Sequence, residues 1–410
     1  MRSTPTLKDY LILFFAINGT VLLALLVLEW LTQQPLLRLD NFLVADANHF
    51  RYIQLEGYIP KKVAFFPLAP YLWRALGLGV GGILALHGIL YTVSALLLAR
   101  SFQMTRKTFA LGATLPLVFF LIFPYSECVF FLCGTIVLLG MKKDSLLLVL
   151  LGLFLSTLCR PAYSVFFPSL ILVEILRGRF GTQSLLRLLA YAAVMALGTF
   201  IVSWLQWLDT GEWFRFVSVQ REWNTYLQVP TLPFRTWGSQ PALILDATSL
   251  AIGVSAMVYM TVHLMKRFRS PDHKLPPAIA FSFSYLAGIT LLVLLFKGGW
   301  LFSLNRYILA APFTWIALHH ILTQPKHSLK GKHLLIVFFS AQVFFLLFRS
   351  FVHLEMILLF TSGALYLTAL AANLHQNALV RQVGSALTLL IQLGSFIFAT
   401  YLMLTGEWIG

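Results

Sequence analysis

Apolar runs separated by short clusters of charge set the pattern of this chain. The first run covers residues 11–31, and others of similar length recur to the far end. A run of about 20 apolar residues is long enough to cross a bilayer as a helix. Inside lipid the backbone must satisfy its own hydrogen bonds, so such runs are helices and not open sheets. The pattern predicts an all-α polytopic transmembrane bundle of about 13 spans, with short interfacial helices in the outer loops. All of residues 1–410 then form one integral membrane domain.

Charge orients the spans. Arg2 and Lys8 keep the amino end inside, and the loop at residues 32–63 lies outside. A cleaved leader is the competing reading of the first run, but that run exceeds the 7–15 apolar residues of a leader core, about half its length. An amphipathic piece at 65–78 leads into a span ending near Arg100, Arg106 and Lys107. Hairpins follow around Pro124 and Pro161, closed inside by Lys142 and Lys143, then by Arg177, Arg179 and Arg187. A tryptophan-rich outer loop spans 209–240, and the next span ends at Lys266, Arg267, Arg269 and Lys274. The turn at Lys297 lies outside, Lys326, Lys330 and Lys332 lie inside, and a turn near Arg349 lies outside. This is the positive-inside bias of membrane insertion, which accounts for a net charge of +15 without nucleic acid.

Composition agrees. Hydrophobic residues make up 59% and charged residues 11%, with a mean hydropathy of +0.82. A soluble domain carries about 25% charged residues, so this chain could not build a water-facing surface. Cys128, Cys133 and Cys159 are odd in number and sit in apolar segments, which gives neither a disulfide framework nor metal-ligand spacing.

Acids are scarce, 15 in 410 residues, so a group of them beside a membrane boundary invites a chemical reading. Asp46, His49, Phe50 and Ile53 fall on one helical face, and Gly57 is a helix stop. Two readings of this spacing stay open. Asp46 and His49 address a substrate at the membrane surface, or Asp46 caps a helix and His49 is an interfacial side chain.

The same residues carry a resemblance. Asp46-Ala47-Asn48-His49-Phe50, Glu56-Gly57-Tyr58 and the run 64–70 (Ala-Phe-Phe-Pro-Leu-Ala-Pro) resemble the first outer loop of the PIG-V family. That family holds the second mannosyltransferase of GPI-anchor synthesis and bacterial relatives, within the GT-C superfamily. Pro124-Tyr125-Ser126-Glu127, Arg160-Pro161, Gly211-Glu212 with Gln220 and Trp223, and Arg306-Tyr307 with Pro312 are similar to further family motifs, in order. Ala45 departs from the family's Trp and Ala69 from its Tyr. The resemblance covers about residues 46–312, making residues 11–312 a GT-C-like catalytic core and 313–410 additional helices. It implies a membrane glycosyltransferase, with mannose from a polyprenyl-phosphate donor passing to a lipid or glycan acceptor at the non-cytoplasmic face. The host membrane is then the plasma membrane of a prokaryote or the endoplasmic reticulum of a eukaryote.

Sugar transfer to a hydroxyl needs a base for the acceptor proton and donors for the departing phosphate. With the resemblance, Asp46 is the base of an inverting displacement, supported by His49. Arg160, Arg306 and Tyr307 are candidates for the donor phosphate, with Lys61 and Lys62 as further candidates, and Glu127 orients the acceptor or holds an arginine. Each has a plainer reading: arginines and lysines anchor helix ends at headgroup level, and Glu127 caps the helix that it starts. Asp246 falls inside a span, where an ionised acid costs about 2.5–3.5 kcal/mol, so it is paired or functional. His319 and His320 are adjacent and cannot share a helix face, which argues against a metal there. The chain has no Asp-x-Asp motif, so no nucleotide-sugar donor and no cofactor are expected; divalent metal use and oligomeric state stay open. A transporter, or a ligase or polymerase of lipid-linked glycans, is the alternative function; no repeated halves of the transporter kind are visible.

Overall fold

The computed structural model describes residues 5–178, 180–324, 329–348 and 354–410. Arg2, Arg179, Lys326 and Arg349, used above to orient the chain, lie outside the described residues. Among the described residues the secondary structure is helical, with no β-strand.

Helix α1 (Leu7–Thr32) starts with a capping box between Thr6 and Asp9. Two short helices, α2 (Asp46–Glu56) and α3 (Leu68–Leu76), occupy the first long loop before α4 (Val80–Ser101). Then come α5 (Arg106–Ala113), α6 (Glu127–Lys142), α7 (Leu146–Cys159), α8 (Phe166–Arg177) and α9 (Thr182–Thr210). The second long loop holds α10 (Arg215–Glu222) and is followed by α11 (Gln240–Arg269) and α12 (Pro277–Phe296). The chain ends with α13 (Leu304–Leu309), α14 (Pro312–Thr323), α15 (Gly331–Phe345), α16 (Leu354–Ala372) and α17 (Ala378–Leu404).

Seven of these, α1, α4, α9, α11, α12, α16 and α17, are long and apolar enough to cross a membrane. The remaining expected spans are shorter or divided, for reasons written in the sequence. Pro116 stops the third one, which becomes α5 and a 3-10 turn at Val118–Leu121, because proline denies the helix a donor and a place for its ring. Pro312 likewise divides the tenth into α13 and α14, with proline in the first turn of the second piece. The hairpin α6–α7 has arms of 16 and 14 residues. Its first arm is buried along nearly its whole length, as expected of a helix that is apolar all round. Helix α12 forms the other half of the centre, packing on α8, α11 and α14. The three cysteines are buried within this core as free thiols.

Turns alternate between two ends of the bundle. At one end Arg106 meets Asp9, Arg177 meets Asp144, and Arg267 donates to the carbonyls of Ile175 and Gly178. At the other, the loop before α2, the turn before α6, the turn after α7, the second long loop and the link from α12 to α13 converge. There Tyr125 donates its hydroxyl to the carbonyl of Val44 (2.7 Å), and Tyr226 and Gln228 donate backbone N–H groups to the carbonyls of Phe296 and Leu295.

Candidate functional site

Ala45 precedes helix α2, and its φ of 45° and ψ of −114° put an alanine in a region that favours glycine. Such strain costs on the order of 1–3 kcal/mol and persists only where surrounding contacts enforce it. Ala45 makes no side-chain cap, and the adjacent Asp46 carboxylate does not cap the helix either. It turns instead to Arg306, with Nη1 donating to Oδ2 at 2.8 Å. The capping reading of Asp46 therefore gives way to an ion pair.

Arg306 is the centre of the arrangement. Its Nε (2.8 Å) and Nη2 (2.5 Å) both donate to Oε1 of Glu127, the first residue of α6. Arg160, which follows α7, reaches the same oxygen through Nη1 at 3.1 Å. Side-chain exposure is 1% for Glu127, 4% for Arg306 and 8% for Arg160, against 26% for Asp46. Four charges from four distant parts of the chain thus form one alternating cluster, Asp46–Arg306–Glu127–Arg160. Aromatic faces enclose it: Phe120, Tyr125 and Trp408 lie against the Arg306 guanidinium, and Tyr307 lies 4.6 Å from that of Arg160. Planar guanidinium suits both contacts. The Oε2 atom of Glu127 is buried with no hydrogen-bond partner among the described residues.

The cluster forms one wall of a cavity of about 310 Å³, open at one side. Asp46, Arg160, Arg306 and Tyr307 line it together with Phe65, Gln220, Trp223, Phe296, Lys297 and Phe302. Other sequence candidates stand off. His49 is not in the lining; its ring stacks on Phe65, with centroids 4.8 Å apart, and Nδ1 has no partner among the described residues. Burial holds the His49 imidazole below its ordinary pKa, against the pull of nearby Asp46, and Lys62 pushes the same way as burial. Lys62 covers the Tyr52 ring at 3.1 Å, Lys61 is exposed, and neither lines the cavity.

The loop that carries Phe65 is fastened from α9. Asp209 Oδ2 accepts the Tyr58 backbone N–H (2.9 Å), and Gln206 Nε2 donates to the carbonyl of Val63 (2.8 Å). Gly57 stands at φ 87°, and a Cβ there would lie 3.1 Å from Asp209 Oδ2, so glycine serves both the backbone angle and the close approach. Asp246 of α11 is paired: it accepts from the Thr236 hydroxyl and, through Oδ1, from the backbone N–H of Asn305 at 2.9 Å. It thereby holds the short helix that carries Arg306 from the N–H next to that residue. Asn305 in turn donates to the carbonyl of Ile409 (2.7 Å), which brings the segment after α17 to the same end.

Lys297 is a lining residue that the sequence marked only as an outward turn, and Phe302 is one that it did not mark at all. A lysine beside paired glycines is the one local signal that could have pointed there. His319 and His320 lie at the opposite end; His319 meets Thr108 and His320 meets Tyr259. No group of three or more metal-type ligands occurs among the described residues.

Neither a protein-family model nor a curated protein sequence matches the chain. Among solved structures it is similar to that of ArnT from Cupriavidus metallidurans bound to undecaprenyl phosphate. The identity is 16% and the TM-score 0.49, over 95% of this chain and 78% of that one.

Proposed function

We propose that this chain is an integral membrane glycosyltransferase of GT-C type, carrying a sugar from a polyprenyl-phosphate donor to a hydroxyl of a lipid or glycan acceptor. The PIG-V-like motifs favour mannose as the sugar. The observation that carries the reading is the cavity in which one partly exposed carboxylate, Asp46, stands beside two buried guanidiniums. In this reading Asp46 takes the acceptor hydroxyl proton through Oδ1, the oxygen not bonded to Arg306. The acceptor oxygen forms its bond to the anomeric carbon as the bond from that carbon to the phosphate oxygen breaks, and the phosphate leaves with the electron pair. Arg306 and Arg160 face that departing charge with donors fixed by their buried contacts to Glu127. Glu127 holds both arginines in place, and Tyr307 supports Arg160.

Sidedness follows from charge. Arg106, Lys142, Arg177, Arg187, Lys266 and Arg267 belong to the end opposite the cavity, which supports a cytoplasmic placement for that end and a non-cytoplasmic one for the cavity. The test uses the purified full chain in lipid nanodiscs with polyprenyl-phosphate mannose and candidate lipid acceptors. Asp46→Asn is expected to lower turnover by about 10²–10⁴-fold with folding retained. Wild-type turnover in that variant removes Asp46 as the base, and no transfer with any polyprenyl-phosphate sugar removes the reading.

A further inference from the structure

The charges of the two guanidiniums of the cavity are already paired with carboxylates. Arg306 spends Nε and Nη2 on Glu127 and Nη1 on Asp46, and Arg160 is held by the same Glu127. Lys297 is different. It caps α12, lines the cavity, and forms no ion pair with a carboxylate among the described residues. Its ammonium donates to the carbonyl of Phe302 (2.9 Å) and lies 3.4 Å from the centroid of that ring. An ammonium has three donors, so two remain beyond that bond.

The backbone around Lys297 is built to hold it. Gly298 and Gly299 stand at φ 57° and 98°, and the second long loop lies directly over them. A Cβ on Gly299 would come within 2.4 Å of the Thr231 carbonyl oxygen. Thr231 and Arg235 donate backbone N–H groups to the carbonyls of Gly298 and Gly299, and Leu301 donates to that of Arg235. The lysine is thus fixed at the cavity wall by a strap. Beside it Ile289, Leu292, Val293 and Phe296 of α12 give that wall an apolar surface.

We propose that Lys297 is the seat of the donor's phosphodiester anion, with the apolar α12 wall taking the first carbons of its lipid tail. This rests on the transferase reading above, in which Arg306 and Arg160 face the charge that develops on departure, and adds beside them, in the same cavity, a seat for the resting donor anion. A half-buried cation without a carboxylate is stabilised by an incoming anion, whereas an arginine already shared by two carboxylates gains less. Burial also pulls the Lys297 ammonium down to about 7; Asp246 and Asp46 oppose that shift, and Arg306 and Arg160 add to it. Anion binding then recharges the lysine, and affinity falls as pH rises through neutrality.

The probe is methyl farnesyl phosphate, a phosphodiester that keeps one charge throughout this range, with farnesol as its neutral counterpart. Binding is measured by calorimetry on the full chain in nanodiscs at pH 6 and pH 8.5. The wild type is expected to favour the phosphodiester and to lose up to about 30-fold in affinity between the two pH values. Lys297→Met is expected to weaken phosphodiester binding about 10- to 100-fold at pH 6 with farnesol binding unchanged. Lys297→Arg is expected to keep the binding and lose the pH dependence. Wild-type affinity and pH profile in Lys297→Met overturn the assignment and leave the transferase reading standing. Parallel loss of farnesol binding in that variant also overturns it, by making Lys297 a structural residue. A wild type that does not distinguish the phosphodiester from farnesol overturns both.

Discussion

Neutralising Glu127 is the sharpest test of the cluster. Glu127→Gln keeps the size of the side chain but leaves the guanidiniums of Arg306 and Arg160 buried with only the partly exposed Asp46 to balance them. At the 3.1 Å separation of Arg160 and Glu127, a unit-charge pair is worth about 5 kcal/mol in an effective dielectric of about 20. Removing one partner of a buried pair costs about 3–5 kcal/mol in measured cases, because the other charge is stranded. Glu127→Gln and Arg160→Met should each therefore lower the stability of the folded protein by about 3–5 kcal/mol. The double variant removes both charges and leaves Arg306 paired with Asp46. Its loss should fall short of the sum of the single losses by about 2 kcal/mol or more. Thermal unfolding in detergent, followed by intrinsic tryptophan fluorescence, gives all four corners of the cycle. Losses that add to within about 0.5 kcal/mol would show that Glu127 and Arg160 are not coupled, and the electrostatic account would be refuted.

Two further variants probe the helix that carries Asp46. Ala45→Gly should stabilise the protein by about 1 kcal/mol, since φ 45° with ψ −114° suits glycine, and a lower melting temperature would contradict the strain. His49 has its folded pKa below the unfolded value of about 6.5, so the unfolded state binds more protons once the pH drops below that value. Stability should therefore decline as pH falls from 7.5 to 5.5, and His49→Phe should reduce that decline; an unchanged slope in melting temperature against pH would count against a buried neutral imidazole.

The helical membrane architecture was legible in the apolar runs, and so was the side on which the charged candidates gather. Asp46, Glu127, Arg160 and Arg306 all fall on turns assigned to one side by charge alone, and the fold brings those turns together. Their pairing was not legible, because nothing local tells Glu127 that its partner lies beyond two later hairpins. Asp246 stood out as an acid inside an apolar run, and it is indeed paired, with Thr236 and the Asn305 N–H. Span counting was less secure. Apolar content around Pro116 and Pro312 reads as continuous crossing helix, whereas the missing N–H groups divide both segments. His49 shares a helix face with Asp46, yet it sits behind two residues of the cavity lining, Phe65 and Trp223; Phe65 is placed there by the loop fastened by Asp209 and Gln206.

The shared carboxylate has a consequence for biosynthesis. Glu127 and Arg306 lie 179 residues apart, and at 5–20 residues per second the ribosome needs roughly 9–36 s to go from one to the other. Arg160 is made far sooner, so it is the first counter-ion available to Glu127 while the nascent chain is still being threaded into the bilayer. Asp46 has no such early companion and waits for Arg306. The cavity end of the protein therefore closes only after α12 and the turn into α13 have been delivered.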